Sequence, residues 1–467
     1  MCKQIDYGGN MEIVKDIKRE IFKAYDIRGK YPEQIDKNIA YTIGKSYGTM
    51  LLNKNKNTCI VGYDNRHSSM ELSLALVLGI LSTGVDVISL GLVTTPMALY
   101  AKEVLKIPSY IMVTASHNPK DDNGFKFSFD ESGNVKGSAI SDFYDFTVNG
   151  KFSEGVGRFS KYDITKDYLD LYKNDIKLGN RKLKVVLDLA NGTTSVIARK
   201  IFELFDLDLT IINEESDSDF PNHHPDPCVN ENQKQLSDKV LELGADIGIG
   251  FDGDGDRCGI VDELGNIIKT DTYMAIMCKD IILNNSDKRI LYDVKCSNAL
   301  KNEIVKWGGN PICYRTGASY TCSKVIEDGI PFGGEYSGHV YFNDRIPVIG
   351  SGIYAGLRMV ELLSNTDKNL SDLVNGIDKY YSTDEIKIHS PNDIKERVIE
   401  DIKKYCINMR FNIDDTDGVK VIRDDSWALI RVSNTGPNIT ARFESSSEDK
   451  LKSIQREFIN LIKYFNK

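Results

Sequence analysis

Three stretches of the 467-residue chain repeat one local plan: CIVGYDNRHSSMELSLALVLGILSTGVDVISLG (59–91), KVVLDLANGTTSVIARKIFELFDLDLTIIN (184–213) and RILYDVKCSNALKNEIVKWGGNPICYRTG (289–317). Each opens on an apolar, strand-like run that arrives at an aspartate (Asp64, Asp188, Asp293), then gives a polar turn, an amphipathic helix-like segment and a second β-rich run. The repeat distance is too long for a solenoid and suits three similar α/β domains in tandem. After about residue 376 the pattern changes to VKVIRDDSWALIRVSNTGPNITARFES, strands around tight turns, and then to the helix-like EDKLKSIQREFINLIKYF. That reads as a small α+β fourth domain. The expected division is 1–163, 164–265, 266–376 and 377–467.

Composition narrows what such a chain can bind. A net charge of −9 gives no electrostatic reason to bind nucleic acid or an acidic membrane, so an anionic ligand must meet locally clustered cations. The nine cysteines contain no CxxC pair, no signal-like apolar stretch precedes the first domain, and no run of about 18 apolar residues exists. A reducing cytoplasm and no membrane segment are the expectations.

Four stretches carry candidate chemistry. FDGDGDR (251–257) puts Asp252, Asp254 and Asp256 at alternate positions on a glycine-bearing loop, where three carboxylates can converge on one hard cation. Its spacing also mimics an EF-hand, but Arg257 stands where that loop needs glycine and the flanks look like strands. Gly248-x-Gly250-x-x-Gly253 matches a dinucleotide fingerprint by letter, with no helix after it to hold a pyrophosphate. An exposed acidic turn is the plain alternative. TASHNPKDDNGFKF (114–127) presents Ser116 beside His117 on a loop of turn formers. GxSxG is absent, and adjacency in sequence does not establish a nucleophile–base pair. Phosphoryl transfer asks instead for an accessible hydroxyl, a divalent ion and fixed cations; Lys126, Arg257 and the acidic triplet could supply them.

PFGGEYSGH (331–339) places Glu335, Ser337 and His339 at alternate positions, a polar comb suited to sugar hydroxyls if the loop is extended, or else a glycine-rich hairpin with incidental polar residues. RVSNTGPNITAR (431–442) offers Arg431, Ser433, Asn434 and Thr435 on a turn, either an anion nest with a guanidinium or ordinary turn chemistry.

In this order, and together with FKAYDIRG (22–29), PNHHPDP (221–227) and DVKCS (293–297), these stretches resemble the α-D-phosphohexomutase family, most closely its bacterial phosphomannomutase/phosphoglucomutase branch. The resemblance covers nearly the whole chain. It implies three related α/β domains and a C-terminal α+β domain around a central active-site cleft. It also implies that Ser116 is a phosphoserine, that one Mg²⁺ per chain is held by Asp252, Asp254 and Asp256 beside Ser116, and that GEYSGH and RVSNTGP hold sugar and phosphate. Tyr25, Arg28, Lys126, Arg257 and Lys295 match family positions near the transfer site. The implied substrate is a small hexose phosphate, with glucose 1,6-bisphosphate as intermediate and activator.

The sequence departs from the family's pattern where Arg315 to Ser319 read RTGAS, with Ala318 in place of a histidine. Lys126 or His117 is then the expected proton-transfer group. Gly350-Ser351 replaces an acidic pair, and Ser445 a glycine. Phosphoglucosamine mutase and a non-catalytic sugar-phosphate binder on the same scaffold are the alternative readings.

Overall fold

A computed structural model describes residues 11–131, 133–433 and 436–467. In the first sheet Thr58–Tyr63 lies between Asp86–Leu92 and Tyr110–Val113, parallel to both. Asp122–Ser128 then returns antiparallel to Tyr110–Val113, Ile27–Lys30 pairs with its outer edge, and Phe159–Lys161 closes the far side. The second sheet repeats the arrangement: Lys184–Asp188 sits between Asp208–Ile212 and Ile247–Phe251, and Cys258–Asp262 returns antiparallel. So does the third, with Arg289–Asp293 between Asn310–Tyr314 and Phe332–Gly334, and Val340–Phe342 returning.

The repeated unit is therefore longer than the strand, helix and strand visible in sequence. A second helix (Thr95–Leu105, Lys234–Leu243 or Ala318–Asp328) leads to a third parallel strand and a hairpin. The three hairpin loops are TASHNP, DGDGDR and EYSGH, so equivalent loops carry three of the four candidate motifs. All three leave the carboxyl end of a parallel strand, where α/β sheets place their ligands.

Burial explains the strand composition. Helices cover both faces of the central strands, so Tyr110–Val113, Ile247–Phe251 and Phe332–Gly334 are buried at every position. One apolar cluster runs from Ile60 and Met112 in the first domain through Tyr168, Leu187 and Ile249 to Leu300 and Leu357 in the third. The fourth domain has a separate core. Its antiparallel sheet is covered by Lys395–Asn408 and by Glu448–Phe465, whose Leu451, Ile454, Phe458 and Ile462 recur at helical spacing and are buried. Ser447 caps that last helix by accepting from Lys450 N. The fourth domain touches the third through one small apolar cluster, Val294, Trp427 and Leu429, set among polar contacts such as Lys420 Nζ to Val294 O at 2.9 Å. Among the described residues no helix is long and apolar enough to cross a membrane.

Candidate active site

Two of the equivalent hairpin loops meet at Ser116. Ser116 is 2% exposed, has a φ of 52°, and its Oγ donates to Asp252 Oδ2 at 2.9 Å. The approach depends on Gly253: a Cβ there would lie 2.6 Å from Ser116 O. Asp252 Oδ1 accepts from the backbone N–H groups of Gly255 (3.0 Å) and Arg257 (3.1 Å), so the loop curls around its own first carboxylate. Lys126, on the strand that returns from the serine loop, places Nζ 2.7 Å from Asp254 Oδ2 and 2.6 Å from Asp256 Oδ2.

A contribution that sequence reasoning missed comes from Thr95. It opens the helix Thr95–Leu105, capped by Thr94, and donates Oγ1 to Asp254 Oδ2 at 2.6 Å and N to Asp254 O at 3.0 Å. The Thr-Thr-Pro run marks a helix start, but nothing local says that this start faces an acidic loop. The helix N-terminus is electrostatically suited to that position.

The charges do not balance within the triplet. Burial, followed by Asp256 and Asp254, pushes the Asp252 carboxyl well above the usual carboxylate range. Burial acts the same way on Asp254 and Asp256, but Lys126 holds both below their ordinary value. Lys126 in turn is kept charged by those two carboxylates in spite of its burial. The three residues can bring one oxygen each within 4.8 Å of one another, and Asp254 Oδ1 is buried without a hydrogen-bond partner. A compact set of hard oxygens, two of them (Asp254 Oδ1 and Asp256 Oδ1) without a hydrogen-bond partner, fits a small divalent cation such as Mg²⁺. The loop is neither an exposed acidic turn nor an EF-hand, since strands flank it and all three aspartates are buried.

The remaining predicted residues fall into two groups. Tyr25, Arg28, Ser116, His117, Lys126, Asp256, Arg257 and His339 line one cavity of ≈ 70 Å³ together with Ala318 and Gly350. His117 Nδ1 stands 3.5 Å from Ser116 Oγ, a loose contact, and its Nε2 is 3.5 Å from Arg257 Nη2. Burial, with the Arg257 and Arg28 guanidiniums, holds the His117 imidazole well below its ordinary pKa. Arg28 is fixed by Asp26 (2.5 Å) and Asn118 (2.7 Å). His339 lies 3.3 Å from both Asp256 Oδ1 and Glu335 Oε2; burial works against its charged form, and the two carboxylates together raise its pKa.

The second group lies toward the fourth domain. Lys295 pairs with Glu385 at 3.2 Å, and Arg431 Nε donates to Asp417 Oδ2 at 2.9 Å. Segment 315–319 joins the groups: Thr316 N donates to Asp417 Oδ2 at 3.0 Å, and Gly317 N donates to Glu335 Oε1. Ser433 N donates to Asn438 O at 2.8 Å. Asn434 and Thr435 lie outside the described residues.

The polar comb at 335–339 forms by different geometry from the expected extended loop. Residues 336–338 make the tight turn of a hairpin, and the turn brings Ser337 Oγ within 3.5 Å of Glu335 Oε2 and 3.3 Å of His339 Nδ1. Two of the departures from the family pattern have structural uses. Ser351 caps the helix Gly352–Ser364 and contacts Tyr172 OH at 2.8 Å, while Ser445 Oγ donates to Asp425 O at 3.1 Å. Gly250 and Gly253 of the nominal dinucleotide fingerprint lie on a strand and in the acidic loop, with no helix between them and Cys258–Asp262.

Comparison with known proteins matches the chain domain by domain. The description "phosphoglucomutase/phosphomannomutase, alpha/beta/alpha domain" I, II and III matches residues 19–152, 166–265 and 269–380, and the corresponding C-terminal domain matches 385–461. A phosphomannomutase/phosphoglucomutase of Pseudomonas aeruginosa is 36% identical over 443 residues, 95% of each chain. A phosphoglucomutase of Neisseria gonorrhoeae is 34% identical over 95% of this chain and 96% of its own. The crystal structure of a phosphoglucomutase/phosphomannomutase family protein from Burkholderia thailandensis superposes with a TM-score of 0.89 at 34% identity, covering 96% of this chain and 98% of that one. With all four domains matched in order, the chain belongs to the phosphoglucomutase/phosphomannomutase family.

Proposed function

We propose that the protein interconverts the 1-phosphate and 6-phosphate of a hexose, mannose or glucose or both, through a phosphoserine at Ser116 and a hexose 1,6-bisphosphate. The observation that carries this reading is Ser116 Oγ set 2.9 Å from Asp252 in a buried acidic triplet, with a separate cationic group at Lys295 and Arg431. A phosphatase needs only the first feature. A mutase needs both, because the phosphate that is not reacting must be held while the other moves.

In the first step the free sugar hydroxyl attacks the phosphorus of phospho-Ser116. The bond from phosphorus to Ser116 Oγ breaks, a bond to the sugar oxygen forms, the hydroxyl's proton leaves to a neighbouring group, and Ser116 Oγ takes up a proton. The bisphosphate then turns over, and Ser116 Oγ gives up its proton and attacks the other phosphorus, whose bond to the sugar oxygen breaks as that oxygen is protonated. Asp252, Asp254 and Asp256 would hold Mg²⁺, which when bound would neutralise charge on the transferring oxygens. Lys126 and Arg257 add fixed positive charge at that end. His117, whose imidazole is held neutral, is the proposed proton acceptor, since Ala318 has no titratable atom; Lys126, kept charged by Asp254 and Asp256, cannot take up the hydroxyl's proton and serves as fixed charge. Glu335, Ser337 and His339 are assigned to sugar hydroxyls, Tyr25 and Arg28 to the wall beside the reacting phosphate. The ≈ 70 Å³ enclosed around Ser116 is far below a ligand pocket of roughly 300 Å³ or more, so the sugar extends toward Lys295, Arg431 and Ser433, and Asn434 and Thr435 are assigned to the same phosphate on the family resemblance alone. Work in a reducing cytoplasm, and domain limits at 163, 265 and 376, belong to the same reading.

The test is an assay of purified protein with mannose 1-phosphate, glucose 1-phosphate and glucosamine 1-phosphate, each with Mg²⁺ and a trace of glucose 1,6-bisphosphate. Turnover of either of the first two supports the assignment. Turnover of glucosamine 1-phosphate alone would move it to that substrate, and none with any would leave only binding.

A further inference from the structure

We propose that the turn Asp64-Asn65-Arg66 is a positioning clasp that sets the Ser116 loop against the metal-binding loop across the boundary between the first two domains. The inference rests on the phosphoryl-transfer reading of Ser116, but none of the three residues lines the cavity around it.

The Arg66 guanidinium is the hub. Arg66 is 3% exposed, and its Nη1 donates to Pro119 O (2.6 Å) and Asp122 O (3.0 Å) while Nη2 donates to Ser116 O (2.6 Å) and Asn118 O (2.7 Å). Residues 114–121 form no regular element, so the Ser116 and Asn118 carbonyls have no ladder to join and need a donor, while Pro119 O, which also accepts from Asp122 N at 3.0 Å, and Asp122 O at the start of the returning strand are tied to the same fork. A planar fork of five N–H groups can satisfy four of them at once; an ammonium with three cannot. Asp64 orients the fork, accepting from Arg66 N at 3.1 Å and standing 3.3 Å from Nε. Ser116 needs such restraint because its φ of 52° lies in the left-handed region, where a residue with a side chain persists only if its surroundings enforce it.

Asn65 reaches the other way. Its N donates to Thr193 Oγ1 (3.0 Å) and its Nδ2 to Asn191 O (2.8 Å), and Thr193 N donates to Gly253 O in the metal loop at 2.9 Å. Residues 189–193 are the turn after Lys184–Asp188, the second-domain counterpart of the turn that holds Asn65 and Arg66. Equivalent turns of two domains thus grip each other, and each grips one of the loops that must meet. A displacement of about 1 Å between reacting groups costs on the order of a hundredfold in rate, which gives the clasp its purpose.

Arg66→Lys and Asn65→Ala, made in the full chain, test this beside the wild type. The expected result for Arg66→Lys is a kcat lower by about 10- to 100-fold, KM for the hexose phosphate within about threefold, and a higher Mg²⁺ concentration for half-maximal rate. Asn65→Ala, which leaves Arg66 bonded to the serine loop, should move kcat and Mg²⁺ requirement the same way by less. Amide exchange across 114–124 should quicken in Arg66→Lys whatever reaction the protein performs. An inactive wild type would therefore refute the assigned reaction, with the exchange data still judging the clasp. Wild-type kcat and exchange in Arg66→Lys would overturn the clasp. Should Arg66→Lys fail to fold, unchanged kcat and Mg²⁺ requirement in Asn65→Ala would overturn it as well.

Discussion

Asp254 is the residue on which charge and geometry at the site meet. Its Oδ2 is spoken for by Thr95 and Lys126, while its buried Oδ1 has no hydrogen-bond partner. Asp254→Asn keeps the shape and removes the charge. Turnover should fall at least about a hundredfold, roughly 2.7 kcal/mol of transition-state stabilisation, and the rate should need more Mg²⁺. A magnesium titration of the variant checks this; a wild-type rate that survives chelation would show the triplet to be structural. The triplet is legible in sequence because alternate carboxylates on a glycine loop have few other uses, whereas a serine among turn formers is ordinary turn chemistry and Ser116 stands out only beside the triplet and the family resemblance. Thr95, Arg66 and Asp417 are not legible, since each acts through a partner more than 10 residues away in the chain. Local pattern carries no information about such pairs.

At the level of elements, a hairpin loop on each of three related sheets supplies the site, and small residues set how closely two of them approach. Gly253→Ala would thrust a methyl group toward Ser116 O and push the loops apart. The expected outcome is a kcat at least about tenfold lower with KM nearly unchanged, seen in a steady-state comparison with the wild type. The PNHHPDP segment is pinned by a different device. His223 Nε2 lies 2.9 Å from Asp188 Oδ2 and its Nδ1 3.0 Å from His224 O, so two acceptors face the two ring nitrogens and favour the imidazolium. Burial opposes that charge, but Asp188 outweighs it and the pKa of His223 is raised. The stability this pair contributes is fully present below the unfolded value of about 6.5 and is lost as pH rises through the higher folded value. Thermal melts between about pH 6 and pH 8 should therefore show a decline in the wild type that His223→Asn lacks; parallel curves would mean that the pair adds nothing. The first half of each repeat is legible from its apolar run and aspartate. The second half escapes notice because its strands are short, Phe332–Gly334 spanning three residues, and because glycines and polar loop residues dilute the apolar signal.

For the whole molecule, the consequential feature is that the fourth domain keeps its own core and meets the third mainly through polar contacts, while the first three share one apolar cluster. Arg431 sits on that domain, bound to Asp417, and Lys295 of the third domain pairs with Glu385 of the fourth. If Arg431 and Lys295 grip whichever phosphate is not reacting, Arg431→Ala should raise KM for the 1-phosphate and the 6-phosphate alike, by about 10- to 100-fold, and release more free bisphosphate. A defect in one direction only would confine Arg431 to one pose. The central claim, a covalent relay through Ser116, is tested most directly by mass spectrometry. The protein is incubated with glucose 1,6-bisphosphate and Mg²⁺, then chased with hexose 1-phosphate or hexose 6-phosphate. The relay predicts one phosphoryl group, mapped to Ser116, that either monophosphate removes with formation of the bisphosphate, and no such group in Ser116→Ala. Full mutase activity in Ser116→Ala, or a phosphoryl group on Ser116 that neither monophosphate can remove, would contradict it.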